Sequence, residues 1–127
     1  MLFRSYEAIV TGGWEKAAAA LDADAKLNPD SEFLTQEKLS DVGSRLLNHG
    51  KQSEALALFE RIARDHPGSM EAIGNLGDAY MQTGRKQDAI AALKKALAVL
   101  PNDPTVSAGD RKAWEQEIQK RIAELSK

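Results

Sequence analysis

The side chains able to do chemistry in this chain are few and widely spaced. Cysteine is absent, which removes disulfides, thiolate metal ligands and a cysteine nucleophile. The two histidines, His49 and His66, each stand beside a helix-stopping residue, Gly50 and Pro67. A histidine at such a place interacts favourably with the negative end of the helix dipole. Neither has a second histidine or a carboxylate at ligand spacing, so no metal site is expected. Asp22-x-Asp24, with Asn28 and Asp30 nearby, lacks the glycine and the closing glutamate of a calcium loop. The first two aspartates fall on a predicted helix and read as a solvated acidic face. Gly68-Ser69-Met70 lacks the second glycine of a nucleophile elbow and follows a helix where that motif needs a strand. Thr11-Gly12-Gly13 lacks the lysine and the length of a phosphate loop and reads as a turn between helices. With no nucleophile–base pair and no cradle for a cofactor, the chain is expected to be a non-enzyme that takes neither cofactor nor metal.

The question becomes which elements build a surface. A length of 127 residues suits one domain, and such a chain buries roughly two-thirds of its unfolded surface. Hydrophobic residues at 43% and charged residues at 28% fit a globular protein. A formal net charge of −2 gives no basic footprint, so nucleic acid is not expected as a partner. No apolar run approaches the roughly 20 residues of a membrane span, and membrane is not expected either. Met1-Leu2-Phe3-Arg4 runs directly into polar, helix-like sequence, so no signal peptide is expected. The absence of cysteine suits the cytoplasm and a bacterial periplasm equally.

Sliding the chain along itself exposes its organisation. A shift of 34 residues lays Gln36–Ser69 over Met70–Asp103 without a gap. Gly43 meets Gly77, Gly50 meets Gly84, Ala55 meets Ala89, and Pro67 meets Pro101. Leu39 pairs with Ile73, Val42 with Leu76, Leu56 with Ile90, and Phe59 with Leu93. A partial copy precedes them: Gly12-Gly13-Trp14-Glu15-Lys16-Ala17 matches Gly50-Lys51-Gln52-Ser53-Glu54-Ala55, and Leu21 and Asn28-Pro29 follow at matching distances. Residues 1–31 therefore read as a degenerate or partial unit, 36–69 and 70–103 as full units. Each full unit reads as two helices, with apolar residues at helical spacing. A glycine stops the first helix and a proline ends the second; Ser69 is the expected N-cap of the helix that follows it. No segment alternates as a half-buried strand does. Residues 104–127 carry one further helix, from about Asp110, with Trp114, Ile118, Ile122 and Leu125 on its apolar face. Such a helix, soluble on its other face, closes the open end of a solenoid. The fold class expected is all-α: a short right-handed α-solenoid of antiparallel helix pairs with a C-terminal capping helix, as one domain over 1–127.

The units resemble tetratricopeptide repeats, whose signature is W-x2-L-G-x2-Y, then A-x3-F, then P. The last unit has Ile73-x2-Leu76-Gly77-x2-Tyr80, Ala89-x3-Leu93 and Pro101. The middle one has Leu39-x2-Val42-Gly43-x2-Leu46, Ala55-x3-Phe59 and Pro67, and the first keeps only Ala17-x3-Leu21 and Pro29. Neither full unit has the family's tryptophan. The stretch Glu37–Leu47 with Gly50-Lys51 and Glu54-Ala55, and Leu76–Met81 with Gly84, also resemble helical-repeat tails of some bacterial multidomain hydrolases of β-lactamase-like serine type. That likeness implies a piece of a longer enzyme, docked as an accessory domain on its own catalytic domain.

The resemblance to tetratricopeptide repeats implies a protein-interaction module or scaffold, in which the first helix of each unit lines a concave groove for a peptide or a partner helix. Carried over, the groove would show Glu37, Ser40, Ser44, Leu47 and Asn48 from the middle unit, and Glu71, Gly74, Asp78, Met81 and Gln82 from the last. Leu47 and Met81 stand at equivalent places, either as an apolar strip in the groove or as packing between helices; methionine suits both. One subclass of the family grips a partner's terminal carboxylate with lysine, arginine and asparagine. Only Asn75 fits that pattern, since Ser40 and Ser44 occupy positions that need a lysine and an asparagine, and Glu37, Glu71 and Asp78 would repel an anion. An acidic C-terminal tail is therefore not the expected partner. Gly43, Gly77, Ala55 and Ala89 are expected to be small because helix backbones approach there. Phe59, Leu93, Ile73, Tyr80 and Leu97 are expected to fill the seams. Trp14 reads as sealing the first unit's helix pair or as an exposed anchor, and Trp114 as part of the capping helix's packed face or as a partner contact. The partner is thus a protein of unspecified identity, with self-association through an exposed end of the stack also open.

Overall fold

The structure, a computed structural model, describes residues 35–127 together with Glu15, Ala18, Ala19, Leu21, Asp22, Ala23 and Lys26. Most of the partial unit over 1–31, including Trp14, the Thr11-Gly12-Gly13 turn, Asp24, Asn28 and Asp30, lies outside the described residues. Every regular element among those described is helical: α1 (Gln36–Asn48), α2 (Gln52–Asp65), α3 (Met70–Gln82), α4 (Lys86–Val99), a 3-10 turn (Leu100–Asn102) and α5 (Ala108–Leu125). The chain divides into two compact units, 1–62 and 63–127.

The Ser69 cap and the glycine stops fall where the sequence places them, and Thr35 is a further cap that the sequence reading does not single out. Thr35 Oγ1 accepts from the Lys38 N–H at 3.3 Å to start α1, and Ser69 Oγ from the Ala72 N–H at 3.1 Å to start α3. Side-chain acceptors of this kind satisfy amides that the first helical turn leaves without partners. Gly50 and Gly84 adopt φ of 75° and 80°, the left-handed conformation that glycine enters without a Cβ penalty. Around Gly50 the Lys51 N–H donates to Leu46 O (2.8 Å) and the Gly50 N–H to Leu47 O (3.2 Å); around Gly84 the Arg85 N–H donates to Tyr80 O (2.8 Å) and the Gly84 N–H to Met81 O (3.2 Å). These are two copies of one Schellman stop.

In the first unit, Leu39, Val42 and Leu46 of α1 are buried, as are Ala55, Leu56, Leu58, Phe59 and Ile62 of α2. Gly43 lies so close to the Phe59 ring that a Cβ there would sit 2.7 Å from Cε2 and Cζ. Asp22 is exposed and pairs with Arg61 at 2.5 Å. His49 ends α1 with its Nδ1 2.8 Å from Arg45 O.

In the second unit, Met70 and Ile73 of α3, Ala92, Leu93 and Ala96 of α4, Leu100 of the 3-10 turn and Ile118 of α5 form one buried cluster, with Tyr80, Leu97, Ile122 and Leu125 packed against it. A Cβ on Gly77 would meet Leu93 at 3.2 Å. The last helix begins at Ala108, slightly ahead of its expected start, capped by Ser107 Oγ on the Asp110 N–H at 3.2 Å. Its apolar face is narrower than the spacing suggested: Ile118 is buried, but Trp114 is 41% exposed. The packing reading of Trp114 is therefore corrected: its ring is exposed and lies outside the buried cluster, which leaves the partner-contact reading.

Candidate interaction site

The second unit holds a cleft of about 320 Å³ between α3 and α5. Met70, Glu71, Gly74, Asn75 and Asp78 form one wall, successive positions on one face of α3. Leu93 lies at its base, and Thr105, Val106, Asp110, Trp114, Ile118 and Arg121 close the other side. Arg121 bridges the two helices: its Nη1 lies 2.8 Å from Asp78 Oδ1, while its Nε reaches Glu117 of its own helix at 3.2 Å. Burial pushes the Asp78 carboxyl above its ordinary range, against the opposing charge and hydrogen bond of Arg121.

One end of the cleft is held by a residue that local sequence patterns do not single out. Asp103 is 1% exposed. Its Oδ2 accepts the Met70 N–H at 2.8 Å, at the start of α3. Its Oδ1 accepts from the Thr105 N–H (2.9 Å) and the Thr105 hydroxyl (2.7 Å). Arg111 donates from Nη2 to the Asp103 carbonyl at 3.1 Å. Burial raises the pKa of this carboxyl, yet the hydrogen bonds from Thr105 and Met70 and the charge of Arg111 outweigh it and hold the group below its ordinary range.

Of the groove residues taken from the sequence, Glu71, Gly74 and Asp78 meet in this cleft. Met81, 39% exposed, and Gln82, also exposed, follow on α3 without lining it. In the first unit, Glu37, Ser44 and Asn48 of α1 are exposed, and Ser40 and Leu47 are half-buried. Ser40 Oγ is buried and has no hydrogen-bond partner among the described residues. Asp78 is not a free anion, because Arg121 is paired with it. The whole α5 wall was missing from the sequence-based set. Its signal in the sequence is a tryptophan, Trp114, in a helix otherwise crowded with charge, which reads as packing or as a partner contact. Among the described residues no three His, Asp or Glu side chains converge as metal ligands, and no helix is long and apolar enough to cross a membrane.

Comparison with known proteins agrees with this architecture. The tetratricopeptide repeat family model matches residues 46–109. Cellulose synthase operon protein C of Escherichia coli (strain K12) is 33% identical over 98 residues, covering 71% of this chain and 8% of that protein. A peroxisomal targeting signal receptor of Komagataella phaffii is 33% identical over 100 residues, covering 72% of this chain and 17% of the receptor. The chain thus spans less than a fifth of the length of either relative. Among solved structures, a tetratricopeptide repeat domain protein from Salinibacter ruber superposes with a TM-score of 0.63 at 22% identity, over 75% of this chain and 90% of that one. PcrH, in complex with the chaperone binding region of PopD, superposes at 0.60 and 14% identity, over 98% and 88%. These relatives lend no support to the hydrolase-tail resemblance.

Proposed function

We propose, from the premise that this chain belongs to the tetratricopeptide repeat family, that it is a non-catalytic protein-interaction module working through the first helix of each repeat. The observation that carries this reading is the α3–α5 cleft. It joins an apolar base (Met70, Leu93, Ile118) to a polar rim and leaves Trp114 exposed beside it. A concave site of apolar surface with a few convergent polar groups is the usual form of a binding site, and exposed tryptophan is over-represented among residues that dominate binding energy. The partner class is a peptide or helix of another protein. That one of the relatives is by name a receptor agrees in class. Met81 and Gln82 continue the proposed surface along α3, and the α1 side chains Glu37, Ser40, Ser44, Leu47 and Asn48 form a separate proposed contact surface on the first unit. The gap-free 34-residue register supports reading 36–69 and 70–103 as two full repeats, within a proposed single domain over 1–127.

The test is partner recovery with folded variants. Trp114→Ala, and separately the pair Leu47→Asp with Met81→Asp, should retain the helical circular-dichroism spectrum and lose the protein recovered by the wild type. Unchanged recovery from both folded variants would overturn the reading. Light scattering across concentration tests whether the partner is a second copy: a mass that doubles with concentration and stays single in Trp114→Ala places the copy in the cleft.

A further inference from the structure

The electrostatics of the α3–α5 cleft specify its occupant more narrowly than fold membership does. Resting on the interaction reading above, we infer that the cleft takes a short segment of another protein in which an apolar side chain is flanked by lysine or arginine.

The volume sets the scale. An apolar cavity of roughly 150 Å³ holds one benzene-sized group, so about 320 Å³ takes one or two large side chains and not a folded element. Met70, Leu93, Val106 and Ile118 supply its apolar surface. The charges then set the sign. Arg121 is the cleft's one cation among the described residues, and Asp78 and Glu117 already engage it. No cation is left over for an incoming carboxylate. Glu71 and Asp110, by contrast, line the same cleft with no ion pair among the described residues. Each stands in the first turn of its helix, where a carboxylate is favourable in any case. Helix preference accounts for an acid on each helix; it does not account for both opening on one apolar cleft beside an exposed indole. A lysine or arginine of a bound segment would meet both carboxylates and could lie over the Trp114 ring, a favourable cation–π arrangement. Asn75, whose amide has no partner among the described residues, is placed to bond the backbone of that segment.

Three capped hexapeptides test this on the whole chain: Gly-Lys-Leu-Phe-Lys-Gly, the same with glutamate for both lysines, and the same with serine for leucine and phenylalanine. Binding is followed by fluorescence polarisation, and its place by the Trp114 indole N–H resonance, identified through Trp114→Phe. The lysine–apolar peptide should move that resonance saturably, and its affinity should fall as salt is raised. The glutamate and serine peptides should each bind about tenfold or more weakly, since like-charge juxtaposition and loss of the apolar anchor each cost at least that factor. Glu71→Gln with Asp110→Asn should narrow the lysine-over-glutamate preference, and Glu71→Lys with Asp110→Lys should invert it. Equal binding of lysine and glutamate peptides, saturable binding that leaves the indole unmoved, or no binding of the lysine peptide overturns the inference. Should cleft variants still abolish partner recovery while the peptide preference is absent, the interaction reading stands and this specificity fails.

Discussion

The two full repeats, 36–69 and 70–103, share a plan and differ in how tightly it is executed. Their first helices start on equivalent caps, Thr35 and Ser69, and stop on equivalent left-handed glycines, Gly50 and Gly84, with matching hydrogen-bond lengths. The close approach inside each differs. Gly43 faces the flat Phe59 ring at a distance that leaves no room for a methyl group, whereas Gly77 faces the branched end of Leu93 with a few tenths of an ångström to find. The next position in the series differs more. Asp103 stands one period after Ser69, where a cap for the next helix belongs, but that helix starts later, on Ser107. Freed from that duty, the Asp103 carboxylate turns inward and accepts the Met70 N–H at the start of its own repeat. A repeat that ends the series uses its cap residue to tie itself shut; one within the series passes it onward.

The largest expected effect breaks that tie. Asp103→Ala leaves the buried Met70 N–H without its acceptor and frees Thr105, which should cost about 3 kcal/mol in urea unfolding, given what bonds to a charged acceptor are worth. Ser69→Ala, removing an ordinary cap, should cost about 1 kcal/mol. Equal costs for the two would mean that Asp103 is only one more cap. Next comes the glycine pair. Gly43→Ala should cost about 2 kcal/mol, because the Phe59 ring is buried and must be displaced. Gly77→Ala should cost under about 1 kcal/mol, since Leu93 can adjust by a small rotation. The reverse order would refute the difference drawn between the repeats. Smaller again, Gly50→Ala and Gly84→Ala should each cost about 1 kcal/mol, the penalty of a left-handed backbone for an L side chain, and should agree within a few tenths. Unequal values would show that the two stops are not equivalent.

The repeat plan was legible because its determinants are local and recur: a glycine after each first helix, a proline after each second, and small residues at fixed offsets, with Ser69 as the one cap that stood out. The amphipathic last helix was legible for the same reason, through Ile118, Ile122 and Leu125. Asp103 was visible only as part of a helix stop. Its partner Met70 lies a full repeat upstream, and no local pattern reports a bond across that separation. Half of the cleft was legible, the half on α3, where repeat register assigns Glu71, Gly74 and Asp78 to one face. The α5 half was not, because the register ends with Asp103 and nothing local says which face of the final helix looks back on α3. Trp114 fell between these cases: its spacing fits the apolar face, yet its ring stands exposed at the cleft and outside the buried cluster.

The smallest effect separates the tie from the rest of the molecule by pH. Asp103 has a folded-state pKa below its unfolded value, so its contribution is fully present above the ordinary aspartate range, near about 4, and is lost as pH falls through the lowered value. The net shift is a difference between opposed causes: burial raises the pKa, and the bonds from Thr105 and Met70 with the charge of Arg111 lower it further than burial raises it. The slope it adds lies below about pH 4, where other carboxylates also titrate. The informative quantity is the stability difference between wild type and Asp103→Asn, which cannot ionise there. Measured by urea unfolding at successive pH values, that difference should be constant near neutrality and shrink as the solution is acidified. A difference that stays constant to pH 3 would mean that the carboxylate's charge contributes nothing, and that the inward cap acts through geometry alone.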